Sequence, residues 1–530
     1  MSKYNVLFLI MPTVGKKYNE AERYKTCVLP YGVLSLATYL KSKSMKVDQV
    51  HVLDLCVEHN SGYLKNPSLL KAYLKEYNID IVGISAMFSG SLSYLEEFSK
   101  EIKMYSKSVF CFAGGVAVSN QYKRILTNIP FIDAVCIGEG ELPIYELVES
   151  GIAQDVLKQH PSWVTEADCD IKVVSSTYIT NLDEIPFLEY NLVNVNDYKG
   201  RMWDKEGTTT FPMHATRGCP FNCIFCCAAD NHGKKIRYVS VSRFLEDATR
   251  IVEEYGAKVI SIDDDQFLLN QSHAKEILRG LCKLEARFEF PSGLSVRYID
   301  EEIAELMAKC GVKEIPLAIE SGSQRMLKEI IDKPLNLEEI QPVVERLRKN
   351  GILVKAFFVI GIPGETPEDR RLTWKLMREV GFDWNNIAIA MPLPGSRLFD
   401  ICVKNEYIAQ GEEIELLPDI AAITAPHIQP EEIKEIAYLM NLDTNFINNH
   451  ALRTGNWKLA EEQFYHIITR YPSHAFGHWC YAKVLGMNHG NTELIDKHMK
   501  IFYDLIESDQ QWKTYAEKFG LTGGGDTCKM

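Results

Sequence analysis

The run Arg217-Gly218-Cys219-Pro220-Phe221-Asn222-Cys223-Ile224-Phe225-Cys226 determines how the rest of the chain is interpreted. Its three cysteines stand at steps of four and three residues, after an apolar run over Thr208–Ala215. This spacing lets one short loop wrap a single [4Fe–4S] cube, in which Cys219, Cys223 and Cys226 would each hold one iron. No fourth cysteine lies at ligand spacing nearby, so the fourth iron would stay open to a small molecule.

Two other interpretations of these cysteines remain open: ordinary buried thiols, or part of a zinc site. A structural zinc ion normally takes four protein ligands, whereas the run supplies three in register. Cys227 follows directly, but two adjacent cysteines rarely reach the same metal. We therefore interpret Cys227 as a packing residue.

The pattern C-x3-C-x2-C, with the aromatic Phe225 before its last cysteine, resembles the radical S-adenosylmethionine (SAM) superfamily. The resemblance is highly specific at residues 217–226. It implies that the amino and carboxylate groups of SAM chelate the open iron. It also implies that the reduced cluster cleaves SAM to a 5′-deoxyadenosyl radical.

Composition bounds the class of protein. The 530 residues, 46% of them hydrophobic, suffice for two or three domains with separate cores. The net charge is −13 and no large Lys/Arg cluster occurs, so we expect no nucleic-acid partner. No apolar run approaches the roughly 18 residues of a membrane span, and Met1–Tyr4 does not suggest a signal peptide. Scattered cysteines such as Cys111 and Cys136 read as reduced thiols, and we predict a cytoplasmic protein from a low-oxygen setting.

Residues 1–150 alternate apolar strands with helices, which predicts an α/β domain with a parallel, doubly wound, Rossmann-like sheet. The predicted strands are Asn5–Ile10, Val47–Leu55, Ile79–Ser85, Val109–Ala113 and Ala134–Ile137; the predicted helices include Tyr31–Lys41 and Ser93–Met104. Ligands of such sheets lie outside the carboxyl ends of the strands. The candidate cofactor-binding residues at those ends are Ser85, Gly114, Gly115, Gly138, Glu139 and Gly140; Pro12–Gly15 and Asp54 mark two further ends.

This first domain resembles the cobalamin-binding domain that precedes the radical core in many radical SAM proteins. The resemblance is carried by Leu29-Pro30-Tyr31-Gly32-Val33 and by Gly138-Glu139-Gly140-Glu141. No G-x-G-x-x-G opens a helix after the first strand, so a dinucleotide site has weak support. Asp-x-His-x-x-Gly is also missing, so the resemblance implies a corrinoid whose lower axial position holds water or is empty. The alternative is a purely structural Rossmann domain.

Residues 151–205 have little periodicity and several turn formers, and they predict a connector. Residues 206–400 again alternate strand and helix, which fits the partial (β/α)6 barrel of the radical SAM core. The predicted strands are Thr208–Ala215, Val259–Ile262, Phe288–Leu294, Glu314–Ala318, Val354–Ile360 and Asn386–Ala390. The predicted helices are Ser242–Tyr255, Ser272–Leu284, Asp300–Cys310, Leu335–Asn350 and Pro367–Val380.

The same resemblance assigns SAM contacts at the carboxyl ends of the barrel strands. It places Phe225 against adenine, Ser295 and Arg297 at the carboxylate or ribose, and Glu320 at the amine or ribose. It brings the turn with Gly361, Pro363 and Gly364 close to adenine, and makes Asp264 a candidate contact to SAM or substrate. Simpler interpretations stay open: Arg297 can pair with Asp300, Glu320 can cap a helix, and Asp263–Asp265 can cap Gln271–Leu284.

Residues 401–530 are dominated by helical patterns, over Pro430–Asn441, Trp457–Tyr471, Ala475–Leu485 and Glu493–Glu507. Gly455–Glu461 with Tyr471-Pro472 resembles one tetratricopeptide-like (TPR-like) helix pair. A single repeat cannot bury its own face, so we expect it to pack on the barrel. We predict that the aromatics of this region form core: Trp457, Phe464, Tyr465, Phe476, Trp479 and Tyr481. We expect disorder in the tail, Gly523–Met530.

The residues and the resemblances leave three functions open. The first is a cobalamin-dependent (class B) radical SAM methyltransferase. In that chemistry one SAM methylates cob(I)alamin, a second yields the radical, and a substrate carbon radical collects the methyl group; the cofactors supply the difficult bond-making. The second is another radical reaction, such as ring closure, oxidation or carbon–carbon coupling. The third is a cobalamin-binding sensor without catalysis. The substrate would be a small molecule, lipid or peptide, and a flavodoxin or ferredoxin would supply electrons.

Overall fold

The computed structural model describes residues 3–13, 27–60, 68–198, 208–408, 422–488 and 490–522. The chain divides into two compact units. The first comprises Met1–Ile315, Ile331–Lys333 and Met391–Ile420; the second comprises Pro316–Ile330, Pro334–Ala390 and Ala421–Met530.

The first unit begins with a six-stranded sheet. Its strands are β1 (Tyr4–Ile10), β2 (Val47–Asp54), β3 (Ile81–Ser85), β4 (Phe110–Gly114), β5 (Ala134–Cys136) and β6 (Trp163–Val164). The spatial order is β2-β1-β3-β4-β5-β6. The first five strands are parallel, as the alternation of strands and helices predicts. β6 runs antiparallel to β5 and was not predicted.

Helices cover both faces of this sheet. They are α1 (Tyr31–Lys43), α2 (Leu55–Asn60), α3 (Ser68–Glu76), α4 (Leu95–Tyr105), α5 (Val116–Asn120), α6 (Tyr122–Asn128), α7 (Glu141–Ser150) and α8 (Gln154–Gln159). Side chains of β1 alternate between the faces: Val6 and Phe8 join the core with α1 and α7. Leu7 and Leu9 join the core with α3 and α4. The prediction of a doubly wound sheet is therefore confirmed.

Residues 151–198 contain more regular structure than the predicted connector, and residues 199–205 lie outside the described residues. The described part contains α8, β6 and several single turns of 3₁₀-helix. Trp163 is fully buried and its indole N–H donates to the Pro143 carbonyl (3.1 Å). Ile179, Leu182 and Ile185 form a small core of their own with Tyr39. Isolated apolar residues between turn formers have no period, so sequence patterns do not reveal this packing.

Six strands between residues 210 and 389 form two three-stranded sheets. The first unit holds β7 (Thr210–Met213), β10 (Val259–Ile262) and β11 (Arg287–Glu289), in the order β11-β10-β7 and parallel. The sheet β12-β13-β14 consists of β12 (Glu314–Glu320), β13 (Leu353–Ile360) and β14 (Trp384–Ile389). A two-stranded ribbon, β8 (Thr216–Arg217) with β9 (Arg237–Tyr238), was not predicted.

The helices of this region are α9 (Ala228–His232), α10 (Val241–Tyr255), α11 (Gln271–Leu281), α12 (Glu301–Lys309), α13 (Ile340–Lys349), α14 (Pro367–Val380) and α15 (Arg397–Lys404). Helices α10 to α14 match predicted helices to within five residues, whereas α9 and α15 were not predicted. The strand predicted over Phe288–Leu294 is five residues too long, because it ends at Glu289. Pro291 and Gly293, which has φ +85°, turn the chain out of the sheet.

The C-terminal helices of the second unit are α16 (Pro430–Asn441), α17 (His450–Thr454), α18 (Trp457–Arg470), α19 (Ala475–Asn488), α20 (Thr492–Ser508) and α21 (Gln510–Lys518). Their core includes Phe464, Phe476 and Tyr481, and Trp384 of β14 packs against it. The prediction that the aromatics form core is wrong for Tyr465, whose side chain is 51% exposed. The TPR-like character of the helix pair stays a prediction.

The structure also bears on the predictions made for the cysteines, for a membrane span and for the tail. Cys111 and Cys136 are buried free thiols, but Cys282 and Cys310 form a disulfide between the ends of α11 and α12, so the expectation of reduced thiols is wrong for that pair. Among the described residues, no helix has both the length and the apolar character needed to cross a membrane. The tail over 523–530, and Val14 and Gly15 at the end of β1, lie outside the described residues.

Candidate cluster and cofactor site

The three cysteines of the opening motif lie on one loop after β8. Cys219 is buried, Cys223 is half-buried and Cys226 is exposed, and none of the three forms a disulfide. The Cys226 amide donates to the Cys223 carbonyl (3.0 Å), which closes a turn between these two ligand candidates. The Ala228 amide donates to the Cys226 Sγ (3.4 Å). Such N–H···S bonds are a recognised means of tuning a cluster.

Backbone contacts hold both sides of the loop. The Cys219 amide donates to the Gly233 carbonyl (3.0 Å), and the Ile224 amide donates to the Ile331 carbonyl (2.9 Å). Gly218 has φ +104°, and a Cβ there would lie 2.7 Å from the Lys235 carbonyl oxygen. The motif therefore needs glycine at this position for both conformation and space.

Asp264 holds the segment that leads into the cysteine loop. Its carboxylate accepts hydrogen bonds from the Ala215 amide (3.1 Å), from the Thr216 hydroxyl (2.6 Å) and from the Thr216 amide. Burial raises its pKa to about 7, although these hydrogen bonds act in the opposite direction. Both oxygens are engaged inside the protein, which argues against the cofactor contact assigned to Asp264.

The alternative interpretation of Asp263–Asp265 is wrong, because Asn270 caps α11: its side chain accepts from the His273 amide. Within the described ranges, no three His, Cys, Asp or Glu side chains converge as ligands of a single metal ion. A cube does not require such convergence, because each thiolate binds a different iron. Three cysteines outside any disulfide, on one short loop held by its backbone, fit that donor set, and their role as cluster ligands stays a prediction.

The loop after β11 carries two more candidates in the first unit. The Ser295 hydroxyl donates to the Gln266 side-chain oxygen (3.3 Å), so Gln266 connects this loop to the Asp263–Asp265 segment. Arg297 is exposed, with its guanidinium 5.7 Å from the ring centre of Tyr298. Asp300, its suggested partner, caps α12 through the Ile303 amide (2.9 Å) and accepts from Lys275 (2.6 Å). Arg297 thus lies in a 3₁₀ turn beyond the end of β11, and its contact with a SAM carboxylate or ribose stays a prediction.

Glu320 ends β12 in the second unit in a conformation that is rare for a residue with a side chain. Its φ is +72°, and its side chain is 8% exposed. The following segment is held on α14, where the Gly322 amide donates to the Thr373 hydroxyl (2.9 Å). The Ser323 hydroxyl accepts from the Met326 amide (3.3 Å), in the helical turn that follows. Left-handed non-glycine residues cluster at functional sites, which supports Glu320 as a ligand contact.

The turn after β13, also in the second unit, contains Gly361 (φ +83°), Pro363 and Gly364 (φ +94°). The buried Glu365 closes it: Oε2 accepts from the Gly361 amide (2.7 Å) and lies 3.4 Å from Arg370 Nη1. Burial raises the pKa of Glu365 to about 7, opposed by that amide and by Arg370. Oε1 has no hydrogen-bond partner among the described residues. Gly361 and Pro363 are buried and Gly364 is exposed, so Glu365 fixes the turn from inside and Gly364 is the part of it that reaches the surface.

The carboxyl edge of the six-stranded sheet gathers most of the other predicted residues. Ser85, Gly114, Gly115 and Gly138 are partly exposed there. Gly115 has φ +103°, and a Cβ would lie 2.7 Å from the Ala86 carbonyl oxygen. Met87 and Phe88, which follow β3, are 60% and 54% exposed. Open backbone beside exposed apolar side chains suits a large, flat, amphipathic ligand, so the residues fit a corrinoid.

Glu139 and Gly140 differ from their neighbours at this edge because both are buried. Gly140 begins α7, and a Cβ there would lie 3.0 Å from Leu36 and from Ile144. Glu139 is surrounded by Arg217, Arg237 and His232. This environment argues against the corrinoid contact assigned to Glu139. The partners were missed because Arg237 and His232 have no local sequence signal, although Arg217 belongs to the opening motif.

Comparison with known proteins agrees with this geometry. Residues 213–377 match the family model of the radical SAM superfamily, and residues 21–148 match that of the B12 binding domain. The chain is 27% identical over 499 residues to the cytidylyl-2-hydroxyethylphosphonate methyltransferase of Streptomyces wedmorensis, covering 85% of this chain and 91% of that protein. It is 31% identical over 343 residues to an uncharacterized methyltransferase of Pyrococcus horikoshii, covering 63% and 72%.

Among solved structures, the chain is similar to the cobalamin-dependent S-adenosylmethionine radical enzyme OxsB with aqua-cobalamin and S-adenosylmethionine bound. The TM-score is 0.65 over 99% of this chain and 82% of OxsB, at 15% identity, which supports the fold. The fold and the three-cysteine loop thus define an iron–sulfur barrel enzyme preceded by a corrinoid-type domain. The chain belongs to the radical SAM superfamily, among the members that carry a B12 binding domain. Its cofactors are a [4Fe–4S] cluster, SAM and cobalamin.

Proposed function

We propose that this radical SAM enzyme is a cobalamin-dependent methyltransferase that methylates an unactivated carbon of a small-molecule substrate. The observation that carries the proposal is the joint presence, in one compact unit, of a three-thiol loop and a sheet edge fit for a corrinoid. Two relatives named as methyltransferases add support, and one of them aligns with 85% of the chain.

The protein residues in this proposal bind, orient and exclude water. Cys219, Cys223 and Cys226 hold the cluster, and Ser85, Gly114, Gly115 and Gly138 offer backbone to the corrinoid. When bound, the cluster with SAM supplies radical chemistry and cobalamin supplies the methyl group. Hydrogen-atom abstraction needs no general base at the target carbon, so the lack of a recognised acid–base pair in the sequence is no obstacle.

The SAM contacts remain proposals, residue by residue. We propose Phe225 for adenine, Ser295 and Arg297 for the carboxylate or ribose, and Glu320 for the amine or ribose. The backbone of Gly361, Pro363 and Gly364 would approach adenine. In this assignment Asp264 and Glu365 bind no cofactor; they hold the cluster loop and the Gly361–Gly364 turn in shape.

The substrate class and the partners complete the proposal. The relative from Streptomyces wedmorensis is named for a nucleotidyl phosphonate, so a small molecule is tested before a lipid or a peptide. An external flavodoxin or ferredoxin would reduce the cluster, because the cluster must receive an electron at low potential before SAM is cleaved. That requirement also favours the cytoplasm as the site of action.

The test is an anaerobic assay of reconstituted protein with cobalamin, methyl-deuterated SAM, a reductant and, as the first substrate probe, cytidylyl-2-hydroxyethylphosphonate. We expect both 5′-deoxyadenosine and S-adenosylhomocysteine, with deuterated methyl on the substrate. 5′-Deoxyadenosine alone would support ring closure, oxidation or coupling instead of methylation. Neither product would support the sensor.

Cysteine variants provide the matched control for this assay. Removing Cys219, Cys223 and Cys226 together, each to Ala, is expected to abolish the four-iron signal and both products. Cys227→Ser is expected to keep them, because Cys227 is buried with its Sγ near the Pro394 carbonyl (3.7 Å). A four-iron signal that survives the triple change would contradict the assignment of the ligands.

A further inference from the structure

A buried group of charged side chains connects the end of β5 to the loop that carries the cysteines. We call it the Glu139 cluster; its members are Glu139, Glu141, Arg217, His232 and Arg237. Both glutamates and both arginines are at most 8% exposed, and His232 reaches solvent with 39% of its side chain exposed. All five belong to the first unit.

Glu139 lies at the centre of this cluster. Arg237 contacts it as a two-pronged fork, with Nη1 2.9 Å from Oε2 and Nη2 2.6 Å from Oε1. His232 Nδ1 lies 2.9 Å from Oε1, and Arg217 Nη1 lies 3.3 Å from Oε2. Burial alone would raise the pKa of Glu139, but these partners lower it to about 2. One carboxylate therefore contacts three cationic or potentially cationic groups.

Glu141 is the second buried carboxylate of the Glu139 cluster, and it pairs with Arg217. Glu141 Oε1 lies 2.9 Å from Arg217 Nη2 and accepts from the Ser35 hydroxyl (2.6 Å). The two buried glutamates thus match the two buried arginines. Buried ion pairs of this kind contribute little net stability, but the loss of one partner leaves an uncompensated charge. Such pairs can instead favour one arrangement of the chain over competing ones.

The partners of Glu139 are the residues that build the frame of the cysteine loop. Arg217 directly precedes Gly218 and pairs with Arg237 in the β8–β9 ribbon. Arg237 Nη2 also donates to the His232 carbonyl (3.0 Å). The next carbonyl, that of Gly233, accepts from the Cys219 amide (3.0 Å). Each contact of Glu139 therefore acts on backbone within two residues of the first ligand or of its hydrogen-bond partner.

We infer that Glu139 is a positioning residue of the cysteine loop and links that loop to the end of β5 in the B12 binding domain. It acts through Arg217 and Arg237 and does not touch the corrinoid. A single buried carboxylate thus ties together the loops that serve the two cofactors. The inference rests on the proposed cluster role of Cys219, Cys223 and Cys226.

The first test compares Glu139→Gln with wild-type protein by hydrogen exchange on cofactor-free material. We expect at least tenfold faster amide exchange in residues 216–226, with unchanged exchange in β2, which lies away from the cluster. Glu149→Gln is the matched control, because Glu149 is on the same helix as Glu141 but contacts Ser44 and the backbone of Met45. Unchanged exchange at 216–226 in Glu139→Gln would overturn the inference.

The second test separates the loop from the corrinoid. After anaerobic reconstitution, Glu139→Gln is expected to hold less than half the iron of the wild type, while its affinity for hydroxocobalamin stays within twofold. A tenfold loss of cobalamin affinity at full iron content would overturn the inference in favour of a corrinoid contact. Wild-type protein that binds no cluster would sink the proposed function, whereas the exchange result would still decide the role of Glu139.

A milder variant covers the case in which Glu139→Gln does not fold. His232→Gln removes one contact at the exposed rim and leaves the two arginines in place. A smaller rise in exchange at residues 216–226, about threefold, is expected. No rise in that variant, together with iron content equal to the wild type, would count against the inference.

Discussion

At the scale of single residues, two buried carboxyl groups each hold a loop in shape. One follows β10 and the other follows β13. Asp264 accepts three hydrogen bonds from Ala215 and Thr216, just before the cysteine loop. Glu365 accepts from the Gly361 amide and contacts Arg370. Both have their pKa raised to about 7, chiefly by burial. Each group gives a separate prediction.

Asp264→Asn is expected to lower the free energy of unfolding by about 1–3 kcal/mol, because an amide –NH₂ would replace one acceptor and face backbone donors. The iron content after reconstitution should also fall, because Asp264 holds Ala215 and Thr216, which directly precede Arg217 and Gly218. Chemical denaturation and iron analysis measure the two effects. Asp155→Asn, at an exposed position, is the control and should change neither; an unaltered Asp264→Asn protein would refute the support role.

Glu365→Gln tests the sign of the pH dependence. Because the folded pKa of Glu365, about 7, lies above the ordinary value of 4.5, its contribution to stability is present below pH 4.5 and is lost as pH rises to 7. The wild type should therefore lose up to about 1.4 kcal/mol per pH unit more than Glu365→Gln across that window. Urea denaturation at several pH values measures the slopes. Parallel slopes in the two proteins would contradict the assignment.

At the scale of elements, the cysteine loop depends on a ribbon of two residues per strand. β8 and β9 bring Arg217 beside Arg237, and Gly218 then lets the chain pass close to three carbonyl groups. No side chain occupies that space, so the loop can hold its ligands near the protein backbone. The geometry makes Gly218 the position at which a small change should have the largest local effect.

Gly218→Ala is expected to destabilise the protein by about 1–3 kcal/mol and to reduce iron content, because φ is +104° and the new Cβ would meet the Lys235 carbonyl oxygen at 2.7 Å. Gly256→Ala is the matched control: φ is +64° and nothing lies within 4 Å. It should cost about 1 kcal/mol and leave iron content unchanged. Thermal unfolding and iron analysis distinguish the variants, and equal iron loss in both would contradict the crowding argument.

At the scale of the whole molecule, the second unit joins barrel elements to C-terminal helices through a buried polar network. Asp443, which is fully buried, accepts from Arg378 Nη2 (2.8 Å), from the Trp374 indole and from the Asn448 amide group (2.6 Å). The Asn385 amide donates to the Asn445 side-chain oxygen (2.8 Å). The helices of residues 430–518 therefore complete the packing of α14 and β14, and the second unit should unfold as one.

Asp443→Asn is expected to lower the stability of the second unit by about 3 kcal/mol, the low end for a broken buried pair, because Arg378 is half-exposed. Differential scanning calorimetry should show one transition of this unit shifted as a whole. Glu379→Gln, next to Arg378 on α14, changes only an exposed pair with Lys375 and should have almost no effect. Separate transitions for barrel elements and C-terminal helices would refute the single unit.

The sequence by itself determined the order of strands and helices, the doubly wound first domain and the cysteine motif. These are local properties: hydrophobic period, strand-end glycines and ligand spacing all act over a few residues. It could not show the β8–β9 ribbon, the antiparallel β6 or the packing of residues 151–198, where the elements are short and the apolar residues lack a period.

Only the tertiary structure decided which charged residues serve the cofactors and which serve the loops. Glu139 lies among strand-end residues in the sequence, but its partners stand 78 to 98 positions further along the chain, beyond the reach of any local pattern. Asp264 likewise meets Thr216 across 48 residues. Burial and pairing are set by how distant segments pack, and these two quantities separate a carboxylate that holds a loop from one that contacts a ligand.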